Sequence, residues 1–267
     1  MTEKQENVPL LDFADITVVK DGRLILDHIS IRVEAEESIA IIGPNGSGKS
    51  SLIKVMTREY YPVAGVPDLR MNIMGEEMWN IFDLRKRLGI ITTDLQYACI
   101  RDNTVLETVI SGYFSSIGIY DDFFDVTIEM KAMAHEVLKF LGIHHLANQK
   151  MTKISSGEAR KTLIARALVH DPKALVLDEP TNSLDMKSID QFRKTVSAVA
   201  AAGKNIVLVT HDLSDIIPEI KRVVLIKDGK IFADGKKEDI LTDENLTALF
   251  DIPVKVQKHG EYYAAFC

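Results

Sequence analysis

The sequence predicts an α/β fold on three observations. Apolar runs the length of strands occur at residues 39–42, 174–177 and 206–209. Segments with apolar residues at helical spacing separate them, which is the alternation of a parallel sheet with helical crossovers. A glycine-rich run over residues 43–50 joins the first apolar run to a helix start.

Each element follows from local pattern. Residues 24–33 alternate in part between apolar and polar, and 38–42 form a compact apolar run after Ser38, which reads as strand, turn, strand, loop. From Ser50, the residues Leu52, Ile53 and Met56 recur at helical spacing until Pro62 and Gly65 stop the pattern. Residues 68–91 mix short apolar segments with Gly75 and Gly89, and helical spacing dominates 104–142, where Met133, Val137, Leu138 and Leu141 recur. Ser155 with Glu158 three residues on is a capping-box spacing, so a helix starts at Ser155. That helix carries Leu163, Ile164, Ala167 and Leu168 on one face and ends at Asp171 and Pro172. After the strand at 174–177 come a helix over 186–202, stopped by Gly203, and the strand at 206–209. Strands at 223–226 and 230–233 flank the turn signal Asp228-Gly229.

At 267 residues the chain fits one α/β domain with an inserted subdomain, and 46% hydrophobic with 27% charged residues is the composition of a soluble globular protein. The net charge of -7 argues against a broad electrostatic grip on nucleic acid. The two cysteines, Cys99 and Cys267, suggest neither a metal spacing nor a disulfide framework, which fits a reducing compartment. The N-terminus is polar rather than a secretory signal, so a cytoplasmic location is expected. No run approaches the roughly 18 apolar residues of a membrane helix, so any link to a membrane comes through a partner.

The chemistry lies at strand ends and helix starts. Gly43-Pro44-Asn45-Gly46-Ser47-Gly48-Lys49-Ser50 fits an eight-position phosphate loop set between a strand and a helix, with Ser51 next in line. Glycines let backbone amides converge on phosphate, Lys49 brings a point charge to the β and γ phosphates, and the Ser50 hydroxyl suits magnesium. The loop alone is common to kinases, ATPases and GTPases. Asp178 and Glu179 emerge at a strand's carboxyl end, where open α/β sheets place ligands. The first suits holding magnesium through water, and the second suits orienting and deprotonating an attacking water. His211 follows another strand on the same expected edge, although a lone histidine there is more often structural. Ser155, Ser156, Gly157 and Glu158 put hydroxyls and a glycine at a helix mouth, where amides and the dipole attract anions.

In this order, the residues make the sequence resemble the nucleotide-binding subunit of ATP-binding cassette (ABC) transporters over nearly its whole length. Residues 43–50 resemble the family's Walker A loop, Ser155 to Glu158 its signature motif, and 175–179 its Walker B. Ser183-Leu184-Asp185 resembles its D-loop and His211 its switch histidine. The resemblance implies a P-loop NTPase cassette with a mixed sheet core, an antiparallel β subdomain and an inserted helical subdomain. The core would span 1–95 and 160–238, the helical subdomain 96–159, and a C-terminal extension 239–267.

The resemblance further implies an ATPase using ATP and Mg2+, with Glu179, His211 and Lys49 catalytic. It implies a head-to-tail dimer in which each ATP is clamped between one chain's Walker A loop and the other's signature helix, the second chain being another copy or a paralogous cassette. The cassette would power transport through a separate transmembrane permease at the cytoplasmic face, with no nucleic acid expected. Three departures stand out. Ser156 replaces the family's usual glycine. Val18, Val19 and Lys20 offer no aromatic for adenine, leaving apolar and cation contacts. Thr92-Thr93-Asp94-Leu95 precedes Gln96, the candidate magnesium-linking glutamine, whereas a strict alignment selects Thr93.

Two functions compete. Segment 239–267 resembles extensions in importers of metal chelates or vitamins, which favours transport. The alternative is a soluble cassette acting as a switch on DNA, ribosomes or a cofactor-assembly complex. Some relatives of that kind carry a second cassette or a long coiled-coil insertion, and this sequence shows neither.

Overall fold

The computed structural model describes residues 8–119 and 124–267, so the polar N-terminal start and residues 120–123 of the helical segment lie outside the described residues. In chain order the strands and helices are β1 (Leu11–Lys20), β2 (Arg23–Val33), β3 (Ile39–Ile42), α1 (Lys49–Met56), β4 (Arg70–Ile73), α2 (Ile81–Arg87), β5 (Leu88–Ile91), α3 (Thr93–Cys99), α4 (Val105–Ile110), α5 (Ile128–Phe140), α6 (Ser156–Leu168), β6 (Ala174–Asp178), α7 (Met186–Ala201), β7 (Asn205–Thr210), β8 (Arg222–Lys227), β9 (Lys230–Lys236), α8 (Lys237–Ile240), α9 (Asp243–Phe250), β10 (Lys255–His259) and β11 (Tyr262–Phe266). They group into two compact units, one of Met1–Ile81 with Asn205–Cys267, the other of Phe82–Lys204.

In the first unit, β3 pairs in parallel with β7 on one side and β8 on the other, and β9 continues antiparallel beyond β8. All four residues of β3 are fully buried, which is why the strand reads as a continuous apolar run rather than an alternation. A separate antiparallel sheet runs β2-β1-β4, and β10 and β11 form a hairpin near the C-terminus.

Strand β1 escaped the sequence pattern for a physical reason. Its pairing with β2 shifts register at three places, and Asp15 within it has a φ of 56°, so the period-two alternation that marks a strand is broken. Helix α1 also ends sooner than Pro62: Thr57 caps it at Met56, and Arg58 turns left-handed with a φ of 60°.

In the second unit, β5 and β6 pair in parallel with Gly89 opposite Leu175. A Cβ on Gly89 would lie 2.5 Å from the Leu175 side chain and 3.0 Å from Ala167, so the glycine lets β5, β6 and α6 pack closely. Of the residues that precede Gln96, Thr93 begins α3 and Thr92 is its N-cap, its hydroxyl accepting from the Leu95 amide. Among the described residues no helix is long and apolar enough to cross a membrane.

Candidate functional site

Six helices of the described residues, α3, α4, α5, α6, α7 and α9, begin with a Thr, Ser or Asp whose side chain accepts a first-turn amide. Helix α1 does not. Its N-cap is Gly48, with no side-chain cap and no acidic residue in the first turn. The cap and first turn of α1 thus contribute no anion of their own to the positive end of the dipole, which suits an anion site.

The loop before it is built around that end. Gly46 and Gly48 hold φ values of 80° and 106°, conformations that side chains rarely adopt. The buried Lys49 ammonium donates to the carbonyl oxygens of Gly43 at 2.7 Å and Pro44 at 3.0 Å, curling the loop on itself. Ser47 is buried, its amide closes a turn on the Pro44 carbonyl at 3.2 Å, and its hydroxyl has no protein partner. An orphaned buried hydroxyl inside a glycine loop is what an incoming oxyanion would satisfy. Asn45, Gly46 and Ser50 are exposed, while Ser51 is half-buried.

Gly229 fastens the loop from outside. Its amide donates to the Ser47 carbonyl at 2.9 Å, and its own carbonyl accepts from the Asp27 amide at 2.9 Å. With a φ of 75° and a would-be Cβ 2.6 Å from the Ile25 carbonyl oxygen, only glycine fits. The Asp228-Gly229 turn, legible in sequence as a hairpin signal, thus also braces the phosphate loop.

At the end of β7 in the same unit, His211 is exposed between two anchored neighbours. The Thr210 hydroxyl donates to Asp215 at 2.8 Å and accepts from the Asp212 amide at 3.0 Å. Asp212 in turn accepts from the Ser214 amide at 2.9 Å, so the backbone carrying His211 is pinned on both sides. At the position expected for adenine, Val18 is buried, Val19 is half exposed, and Lys20 donates to the Tyr60 hydroxyl at 2.8 Å.

In the second unit, Asp178 ends β6 and Glu179 follows with a φ of 45°. That left-handed backbone is costly for a glutamate. The Asn182 side-chain amide donates to the Glu179 carboxylate at 2.6 Å, fixing its orientation. Asn182 was not singled out in the sequence, although it stands three residues from Glu179 in the following turn.

The signature residues form a complete capping box. Ser155 Oγ accepts from the Glu158 amide at 3.3 Å, while the Glu158 carboxylate accepts from the Ser155 amide at 2.8 Å and hydroxyl at 2.7 Å. These bonds, the hydroxyl's foremost, hold the Glu158 carboxyl below its ordinary value. Gly157 explains itself by packing: a Cβ there would sit 2.8 Å from Ser188 Oγ on the first turn of α7. Asp185 caps α7 by accepting from the Ser188 amide at 2.7 Å, so the starts of α6 and α7 are adjacent. Ser156 is exposed at the first position of α6.

Gln96 lies within α3 and is buried, while Thr93 opens that helix half-buried. Arg160 was missed altogether. It is 1% exposed on α6, its three guanidinium nitrogens have no hydrogen-bond partner, and burial pushes its pKa down to about 10. The signal was present, since Arg160 precedes Leu163 and Ile164 by three and four residues and so shares their buried face.

Comparison with known proteins follows the same lines. A family model described as ABC transporter matches residues 26–182. The uncharacterized ABC transporter ATP-binding protein YlmA of Bacillus subtilis is 31% identical over 252 residues, covering 92% of this chain and 93% of that protein. The cobalt import ATP-binding protein CbiO of Rhodobacter capsulatus is 32% identical over 236 residues, covering 88% and 81%. Among solved structures, the ADP conformation of an ATP-binding cassette of an ABC transporter superposes with a TM-score of 0.78 at 25% identity, covering 91% of this chain and 98% of that one. The structure of cbiO1 from Clostridium perfringens, part of the ABC transporter complex cbiONQ, gives 0.74 at 26% identity, covering 90% and 93%.

Proposed function

This chain belongs to the ABC transporter family as an ATP-binding cassette, and on that premise we propose that it hydrolyses ATP to drive import through a separate membrane permease. The observation that carries the ATP site is the glycine-capped N-terminus of α1 under a loop whose Ser47 hydroxyl is buried and orphaned. Backbone amides of that loop and the α1 dipole take the phosphates, and Lys49 exchanges its bonds to Gly43 and Pro44 for phosphate oxygens.

Ser50, Asp178 and Gln96 are hard oxygen donors of the kind magnesium takes, and magnesium bound by them would neutralise charge on the phosphates. Glu179, held by Asn182, orients and deprotonates the attacking water, and His211 contacts the γ phosphate. Ser155, Ser156 and Gly157 serve the nucleotide of a second cassette, a copy of this chain by default, in a head-to-tail dimer.

Relatives named for cobalt and hemin import favour import and a metal or metal-chelate cargo. The test pairs two measurements. Purified protein with ATP and magnesium releases phosphate and Glu179→Gln does not. Affinity-tagged protein expressed in its own host recovers a multi-spanning permease from membranes. Recovery of ribosomal or DNA-bound proteins instead would move the reading to the soluble switch.

A further inference from the structure

Far along the chain from the phosphate loop, the first unit contains a cavity of about 280 Å³ framed by the junction of β9 with α8 and by the hairpin of β10 and β11. Four lysines line it, Lys221, Lys236, Lys237 and Lys258, together with Tyr263 and two glutamates, Glu238 and Glu261. We propose that this cavity binds a small phosphate-bearing ligand, separate from the nucleotide of the α1 loop.

Four observations carry the assignment. First, four ammonium groups face two carboxylates, in a chain whose overall charge is -7, so the positive concentration runs against the composition. Second, one carboxylate is spoken for: Glu238 lies 3.5 Å from Lys258, while Lys221 and Lys236 are not ion-paired among the described residues. Third, Lys237 is 6% exposed, yet its ammonium makes only a long 3.4 Å bond to the Ile217 carbonyl, with the Tyr263 ring 5.9 Å away. No carboxylate hydrogen-bonds that ammonium among the described residues, although the charges of Glu261 and Glu219 reach it, and a buried charge so placed gains from an anion in direct contact. Fourth, the crowding is imposed by the backbone, because the Lys237 amide donates to the Lys221 carbonyl at 2.7 Å and brings the two lysines together.

Burial, and next the charge of Lys221, lowers the pKa of Lys237, and the charges of Glu261 and Glu219 offset this only in part. The lining also selects the ligand class. Lysine is a compact point charge of the kind that binds phosphate, and four of them line the cavity. Its volume, just under the roughly 300–1,000 Å³ of drug-sized pockets, suits a small phosphorylated molecule or a phosphorylated lipid headgroup.

The test uses the full chain carrying Lys49→Ala, so that the α1 loop does not contribute and the outcome is independent of the ATP reading. Calorimetric titration with pyrophosphate is expected to show one saturable site that weakens roughly tenfold or more in Lys237→Met. Should that variant fail to fold, the surface pair Lys221→Gln with Lys236→Gln carries the same expectation. Sedimentation with phosphatidylcholine vesicles, with and without phosphatidylinositol phosphate, identifies the source. Recovery on the phosphorylated vesicles assigns a headgroup, and pyrophosphate binding without such recovery assigns a soluble phosphate. Absence of both, or pyrophosphate binding equal in the parent and lysine variants, overturns the proposal.

Discussion

The side-chain amide of Asn182 donates to the carboxylate of Glu179 at 2.6 Å, across a turn in which Glu179 itself holds a φ of 45°. Left-handed backbone at a glutamate costs of order 1–3 kcal/mol and persists only where the surroundings fix it. Strain and amide together select one carboxylate orientation from the several that a free glutamate samples. Asn182→Ala is therefore expected to lower kcat roughly tenfold with little change in KM, a loss of positioning rather than of binding. Steady-state phosphate release measures both, and an unchanged kcat would remove Asn182 from the mechanism.

Glu179→Gln keeps the shape of the side chain and removes the base. ATP binding should persist while turnover falls by at least about 10²-fold, the usual contribution of general-base catalysis. Size-exclusion chromatography with ATP should then show a dimer that survives, because the clamped nucleotide is no longer consumed. Normal hydrolysis by the purified variant would reassign the base.

Lys49→Ala acts earlier, on binding. A hydrogen bond to a charged group is worth about 1.5–3 kcal/mol, so ATP affinity should fall roughly 10- to 100-fold. Titration with a fluorescent ATP analogue reads this directly, and unchanged affinity would place the lysine outside the site.

Ser155→Ala removes a helix cap and should cost about 1 kcal/mol near neutral pH. The hydroxyl of Ser155 is the main cause of Glu158's lowered pKa. A depressed carboxylate contributes stability above its unfolded value, near 4.5, and loses it as pH falls through the lower folded value. The difference in Tm between the parent and Ser155→Ala should accordingly narrow as pH drops below about 4.5. A constant difference down to acid unfolding would mean that the cap, not the charge, is all that Ser155 supplies.

Arg160→Met should stabilise the protein. A guanidinium depressed to about 10 by burial carries a desolvation cost of order 3 kcal/mol at neutral pH, which an apolar side chain of similar length avoids. Differential scanning calorimetry should show Tm rising by several degrees. A fall would show that the charge is balanced in solution.

What the sequence disclosed and what it withheld divide along physical lines. Strands β3, β6 and β7 are built on buried continuous apolar runs, and their boundaries were legible to within a residue. The capping box at Ser155 and Glu158 was legible because both partners lie within one turn. Strand β1 was not, because bulges scramble its alternation. Roles that depend on residues distant in sequence were hidden too: Gly229 bracing Ser47, Gly157 yielding to Ser188, and four lysines gathered from 221 to 258. Asn182 and Arg160 are a different case, since turn spacing and helical spacing marked them.

The bracing of the phosphate loop has a consequence during synthesis. Strand β3, which carries the loop, finds both its partners only after residue 205, and the loop's brace arrives with Gly229. At translation rates of about 5–20 residues per second, the loop waits roughly ten to forty seconds for its frame. Throughout that interval a nascent chain displays the most recognisable motif in the molecule without the means to hold it in shape. Nucleotide can therefore act as a folding ligand only once residue 229 has left the ribosome.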